Sequence, residues 1–423
     1  MRLPRNPDLA PDSPQFRLID SARMVLEQDA TIEVVWVGGS IAEGTADRWS
    51  DVDLRLAVEE ADLPAVVDTI PETLPAIHPV LGWFSRTLRG GHLVVVTFEG
   101  PLRVDVEIAT PAVLRGPRHE AVAPLIDRDG QVARFADKPF APPRLTPAEL
   151  IEREAARIPS EAGRLRQAIQ ARSILAAMQA QATLLESAQR LLLLLRDPRA
   201  AGLAGPKHAA DALTAADVEP LLAPLGDWSA AWPEPAADSI DPTLDILRPL
   251  AAEIRNRHGA TVPLHPVPPD PERAPAGSSY FSRGALTAAG AVEAAHNLLV
   301  HAMVGASYYN RGLYTGLLWG YAMAAQLAAD LARVRPRTPE LAARLAPADA
   351  AAFESALRPL RLGGVEAVRL VAANVSALYS RYLERACAAL GVAYQRRLDR
   401  EVNAYLFREG VFAYDVTAAN LSP

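Results

Sequence analysis

Val34-Val35-Trp36-Val37-Gly38-Gly39-Ser40-Ile41-Ala42-Glu43-Gly44-Thr45-Ala46-Asp47-Arg48-Trp49-Ser50-Asp51-Val52-Asp53-Leu54 is the stretch on which the fold turns. It opens as an apolar, β-prone run and stops in a Gly-Gly-Ser turn, where small residues leave backbone amides open to phosphate oxygens. After the intervening loop, Asp51 and Asp53 flank one valine at the mouth of a second apolar run. Side chains at i and i+2 of a strand share a face, so these two carboxylates are placed to share hard cations.

Outward from that stretch, the spacing predicts a helix over 15–29, strands over 31–39 and 51–58, and a helix over 59–76 with uncertain limits around Pro64 and Pro71. His92–Glu99 and Leu102–Ile108, joined at Gly100-Pro101, read as a hairpin. Leu125–Val132 reads as a tight turn between short extended pieces. Pro139, Pro142, Pro143 and Pro147 then mark a boundary. Beyond it the chain is rich in Ala, Leu, Arg, Glu and Gln, which form helices well. Helical blocks are expected at 149–196, around 208–225 and 242–257, at 285–333, and at 347–409 with a break at Gly391. The six prolines within 260–283 read as a connector or surface-wrapping loop. The domains expected are therefore 1–145 with mixed structure, helical 146–259, the connector 260–283 and a helical 284–423.

Bulk properties narrow the partners. A chain of 423 residues exceeds one typical core, so more than one domain is expected. The net charge of -7 disfavours a nucleic-acid partner, since such proteins usually present a basic face. Cys387 is the one cysteine, which excludes an internal disulfide and a cysteine-rich metal cluster. The polar N-terminus has no apolar core of a signal peptide, so a cytoplasmic setting is expected. Gly312–Ala329 is an uncharged run, but Thr315, Gln326 and two tyrosines within it favour a buried bundle helix with a glycine seam over a membrane span. The sequence leaves the oligomeric state open.

A third acid completes the pattern. Asp105 stands inside the apolar run Val104-Asp105-Val106, where a charge is costly to bury unless something compensates it. A metal shared with Asp51 and Asp53 would do so. Gly39-Ser40, ten residues, Asp51-x-Asp53 and a later acidic strand residue together resemble the signature of the DNA polymerase β-type nucleotidyltransferases. The wording of residues 38–54 is similar to the small-molecule branch, the aminoglycoside and lincosamide nucleotidyltransferases. The motif covers about the first third of the chain; beyond that the resemblance is one of architecture.

The resemblance implies an α+β protein: a nucleotidyltransferase domain, a mixed sheet flanked by helices, followed by a large all-α region. It implies a nucleotide donor such as ATP, two Mg²⁺ ions, and a small-molecule hydroxyl as acceptor. It assigns Gly38, Gly39 and Ser40 to the phosphates and Asp51, Asp53 and Asp105 to the metals. Arg48 in the motif loop is a candidate phosphate contact, with a solvated arginine as the plainer reading. Glu107, about 6.6 Å along the strand from Asp105 on the same face, is a candidate general base or an ion-paired strand glutamate. Transfer to a protein or RNA, and a nucleotide-binding scaffold without catalysis, are the alternatives.

Other residues carry less. His296 and His301, five apart, point about 140° apart on a helix and cannot chelate one ion together. Tyr308, Tyr309, Asn310, Arg311, Tyr314, Trp319 and Tyr321 could line an acceptor pocket or simply fill a bundle. Arg396, Arg397 and Arg400 read as a solvated helix face.

Overall fold

The computed structural model describes residues 3–4, 6–88, 91–110, 121–132, 145–171, 173–198, 212–225, 240–267, 287–334 and 347–419. Most of the proline boundary and most of the connector lie outside them; the described part, 260–267, contributes a Val267 N–H that donates to the Pro159 carbonyl at 3.0 Å. The chain forms two compact units. One comprises Met1–Pro143 with Leu299–Val304 and Gln395–Val402, and the other comprises Arg144–Leu298, Gly305–Tyr394 and Asn403–Pro423.

The first unit runs α1 (Pro14–Leu26), β1 (Ile32–Val37), α2 (Gly39–Glu43), β2 (Val52–Val58), α3 (Leu63–Ile77), β3 (Val80–Leu88), β4 (Gly91–Phe98), β5 (Leu102–Ala109) and β6 (Ala123–Asp127). Its strands form one mixed sheet in the order β3-β4-β5-β2-β1-β6, with β2 and β5 parallel and the other pairs antiparallel. The α+β architecture expected from the sequence is present. Strand β3 was not anticipated: Trp83-Phe84-Ser85-Arg86-Thr87 mixes polar and apolar residues because it lies at the sheet edge, where one face is half solvated.

Alternation along the strands gives the sheet two distinct faces. Val35, Val37, Val52, Leu54, Leu56, Val94, Val96, Val104, Val106 and Ile108 form one face and share a core with Leu18, Ile19, Ala22 and Leu26 of α1 and Val66, Ile70 and Leu74 of α3. The opposite face holds Val34, Trp36, Ala57 and Val132 at one end. Further across it carries charges.

The second unit contains α4 (Pro147–Gln170), α5 (Ile174–Arg196), α6 (Ala215–Val218), α7 (Asp241–His258), the body of α8 (Ala288–His301), α9 (Val304–Asn310), α10 (Tyr314–Arg333), α11 (Pro347–Leu357), α12 (Gly364–Leu390), part of α13 (Arg396–Arg408) and α14 (Val416–Ala419). The block expected at 149–196 is two helices. Helix α4 begins in a capping box, in which Thr146 and Glu149 satisfy each other's backbone amides. Between α4 and α5, Glu154 is fully buried and accepts from Arg153 and Arg190 at 3.3 Å, while Arg157 bonds Glu186 at 2.8 Å. Helix α12 ends at Gly391 in a left-handed cap, at the break expected there.

The glycine seam is corrected. Gly312 lies before α10, the Tyr308 ring lies against Gly316, and among the described residues nothing would meet a Cβ on Gly320 within 4 Å, so the three do not form a continuous helix contact. Among the described residues no helix is long and apolar enough to cross a membrane.

Candidate functional site

The motif turn is built by backbone geometry. The Gly38 N–H donates to the Asp53 carbonyl at 2.9 Å, tying the end of β1 to β2. Gly39 follows at φ +56° and opens α2, and any Cβ there would run into the Asp53 carboxylate. A left-handed Gly44 closes α2, and the Thr45 N–H donates to the Ser40 carbonyl at 2.9 Å. Glycine is required at 39 for two reasons, the conformation and the carboxylate beside it.

Two buried polar residues from the N-terminal segment hold the loop that follows. Asn6 donates to the Ile41 carbonyl at 3.2 Å and accepts from the Ala46 N–H at 2.7 Å. Gln15 donates to the carbonyls of Arg48 and Ser50 at 3.0 and 3.2 Å. Asp47 accepts from the Trp49 N–H at 3.1 Å and the Ser50 hydroxyl at 2.9 Å. The Arg48 guanidinium stacks 4.4 Å from the centre of the Trp49 ring. Neither Asn6 nor Gln15 gave any signal in the sequence.

The acids meet on the charged face of the sheet. Parallel pairing sets Val52 against Val104, Asp53 against Asp105 and Arg55 against Glu107. Asp51 sits at the mouth of β2, 40% exposed, against 22% for Asp53 and 16% for Asp105. Like charges directly opposite each other destabilise a sheet, and this pair is flanked by two arginines. Arg103 grips Asp105 with both prongs, Nε to Oδ1 at 2.9 Å and Nη2 to Oδ2 at 2.7 Å, and reaches Asp51 at 3.7 Å. Arg55 lies 3.7 Å from Asp53 and 3.2 Å from Glu107. Burial pushes the Asp105 carboxyl above its ordinary range, and the Arg103 charge works against that rise. Burial opposes the charge on Arg103 in turn, but Asp105 and Asp51 outweigh it and raise its pKa.

Arg103 thus compensates the buried acid in this structure. The signal was legible, since Arg55 and Arg103 each stand two residues from an acid on the same strand face. The donor set itself suits a hard divalent cation: three carboxylates at one sheet end, two of them in register. Among the described residues, however, no three acidic, histidine or cysteine side chains already converge on an ion position. Arg103 fills the space between Asp51 and Asp105.

A late piece of the chain covers part of this face. The Thr97 hydroxyl donates to the Val300 carbonyl at 3.1 Å, and the His301 ring packs 5.1 Å from that of Phe84. Burial, with Arg103 and Arg86 nearby, pulls the His301 pKa down to about 3, so its ring is neutral. Gln395 and Leu398 lie against Gly82, and Arg397 pairs with Glu99. Sequence spacing kept His296 and His301 from one ion; the structure places His296 by Cys387, with 3.9 Å between its Nε2 and the sulfur, in the other unit. In the tyrosine group, Tyr309 and Tyr314 pack at 5.8 Å and Tyr321 meets Phe412 at 6.1 Å, which are packing contacts.

No protein-family model matches the chain, and no curated protein matches it. Among solved structures, it is similar to an aminoglycoside 6-adenyltransferase from Bacillus subtilis, at 11% identity and a TM-score of 0.23, over 59% of this chain and 92% of that one. It is also similar to a CCA-adding enzyme, at 12% identity and a TM-score of 0.23, over 84% of this chain and 92% of that one. Likeness this slight carries no functional inference.

Proposed function

We propose that this chain is a metal-dependent nucleotidyltransferase that moves a nucleoside monophosphate, AMP from ATP, onto a hydroxyl of a small molecule. The observation that carries the reading is the in-register pair Asp53 and Asp105, with Asp51 at the strand mouth and the Gly39 turn against Asp53. Two like charges set opposite each other cost stability, and a site that must take cations explains their retention.

In this reading Asp51, Asp53 and Asp105 hold Mg²⁺, which when bound neutralises charge on the triphosphate and on the leaving pyrophosphate. Gly38, Gly39 and Ser40 present the turn to the phosphates, and the missing Cβ at Gly39 leaves room for the Asp53 carboxylate beside that turn. Arg48 is a further phosphate contact from the same loop. The acceptor oxygen bonds to the α-phosphorus as the bond to the bridging oxygen breaks, and pyrophosphate leaves with that electron pair. Glu107, 30% exposed and ion-paired to Arg55, takes the acceptor proton. Region 1–145 carries the chemistry, and the helical regions 146–259 and 284–423 supply acceptor choice in the cytoplasm.

The test is pyrophosphate release from labelled ATP with Mg²⁺ and a panel of hydroxyl acceptors. Label should appear in small molecules; label in protein or RNA would favour the macromolecular alternative. Undiminished turnover in the Asp51→Ala/Asp53→Ala double variant would overturn the mechanism, and tight ATP binding without turnover on any acceptor would favour a scaffold.

A further inference from the structure

The charged face of the sheet carries cations of its own beside the acids. Four carboxylates, Asp51, Asp53, Asp105 and Glu107, face two guanidiniums, Arg55 and Arg103. Arg55 lies between Asp53 and Glu107, whereas Arg103 reaches two of the residues read above as metal-holding. We propose that Arg103 is a built-in counter-ion of the acid cluster, which neutralises Asp105 and Asp51 until a divalent ion displaces it. The proposal rests on the reading of Asp51, Asp53 and Asp105 as the metal-holding set.

Three features of the structure support it. First, both Asp105 oxygens are engaged by Arg103, at 2.9 and 2.7 Å, so an ion binding there meets a positive charge already on the same atoms. Second, without Arg103 the in-register pair Asp53 and Asp105 would face each other with Arg55 as the counter-charge, and Arg55 is shared with Glu107. Third, Arg103 is at the second residue of β5, directly after the Gly100-Pro101 turn. Backbone pairing to β2 and β4 fixes the strand, so displacement of Arg103 from Asp105 would be a movement of the side chain.

The consequence is an exchange of cations. With no divalent ion the guanidinium satisfies the acids, and the sheet folds without metal. When an ion arrives, Arg103 must give up Asp105, so ion binding is weaker than the carboxylates alone would allow. A residue that merely oriented Asp105 would have the opposite effect, because removing it would loosen the site and weaken binding.

The test measures Mn²⁺ affinity of the full-length chain by electron paramagnetic resonance of the free ion, and thermal unfolding in EDTA and in saturating Mn²⁺. Wild type is compared with Arg103→Met and with Arg103→Lys, whose single ammonium cannot take both oxygens and which guards against a Met variant that fails to fold. Expected are Mn²⁺ binding at least about 10-fold tighter in Arg103→Met, intermediate affinity in Arg103→Lys, and a larger Mn²⁺-induced rise in unfolding temperature in both than in wild type. Saturable Mn²⁺ binding whose affinity is unchanged or weaker in the variants overturns the role of Arg103 and leaves the metal reading standing. Absence of saturable Mn²⁺ binding in wild type and both variants overturns the metal reading together with this proposal.

Discussion

Asp53 on β2 and Asp105 on β5 stand directly opposite each other on neighbouring parallel strands, their charges divided between Arg55 and Arg103. The two acids should therefore differ in stability while agreeing in function. Asp53→Asn relieves like-charge repulsion and should leave the unfolding temperature unchanged or raised. Asp105→Asn strands the largely buried Arg103 guanidinium and should cost about 3 kcal/mol. Both should lower pyrophosphate release by about 10³-fold or more, since each removes a charge read as metal-holding. Urea unfolding alongside turnover checks both halves.

Gly39 is expected to tolerate no side chain. Gly39→Ala places a methyl group against the Asp53 carboxylate and holds alanine at φ +56°. The conformation alone costs about 1–2 kcal/mol, and the displaced carboxylate should remove turnover as well. A folded, fully active Gly39→Ala protein would refute the close approach.

Asn6 should matter far more than its position near the start of the chain suggests. In Asn6→Ala the Ala46 N–H loses its partner in a buried setting, a cost of about 1–3 kcal/mol. The loop from Gly44 to Asp51 also loses its anchor. Hydrogen exchange at Ala46 should accelerate in the variant while amides in the middle of β1 stay protected; unchanged exchange at Ala46 would count against the anchoring role.

His301 gives the protein a pH dependence of predictable sign. In the folded state its pKa is near 3, while in the unfolded chain it returns to about 6.5. Between those values the unfolded chain binds the extra proton, so stability is intact above about pH 6.5 and falls as the pH drops. The contribution is up to about 1.4 kcal/mol per pH unit. In His301→Gln the unfolding free energy should fall less steeply between pH 6.5 and 4.5, as read from urea titrations at stepped pH.

Much of the first unit was legible because its strands alternate so regularly. Val52, Leu54 and Leu56 fix the core face of β2 and thereby the face of Asp53, and the hairpin at Gly100-Pro101 does the same for Asp105. The missed strand β3 has Ser85, Arg86 and Thr87 in place of an apolar run, as an edge permits. Arg103 and Arg55 stand two residues from Asp105 and Asp53 in the sequence, but spacing along one strand does not say which acid on the neighbouring strand each arginine reaches. The contacts of Asn6, Gln15 and His301 were not legible for another reason: each is made across a long stretch of sequence, and no local periodicity encodes such contacts. In the second unit the helix formers made the blocks evident, whereas the partners of each helix depend on packing that composition does not record.

The hydrogen bond from Thr97 to Val300 spans a separation of 203 residues. At roughly ten residues a second, a ribosome needs about twenty seconds to make the second partner after the first. Once β6 is made, the sheet can be complete for the rest of that interval while its charged face lacks the cover supplied by Leu299–Val304, and the cover from Gln395–Val402 comes later still. The sheet is thus made before the segments that cover it, and a truncated message would release it with this charged face bare.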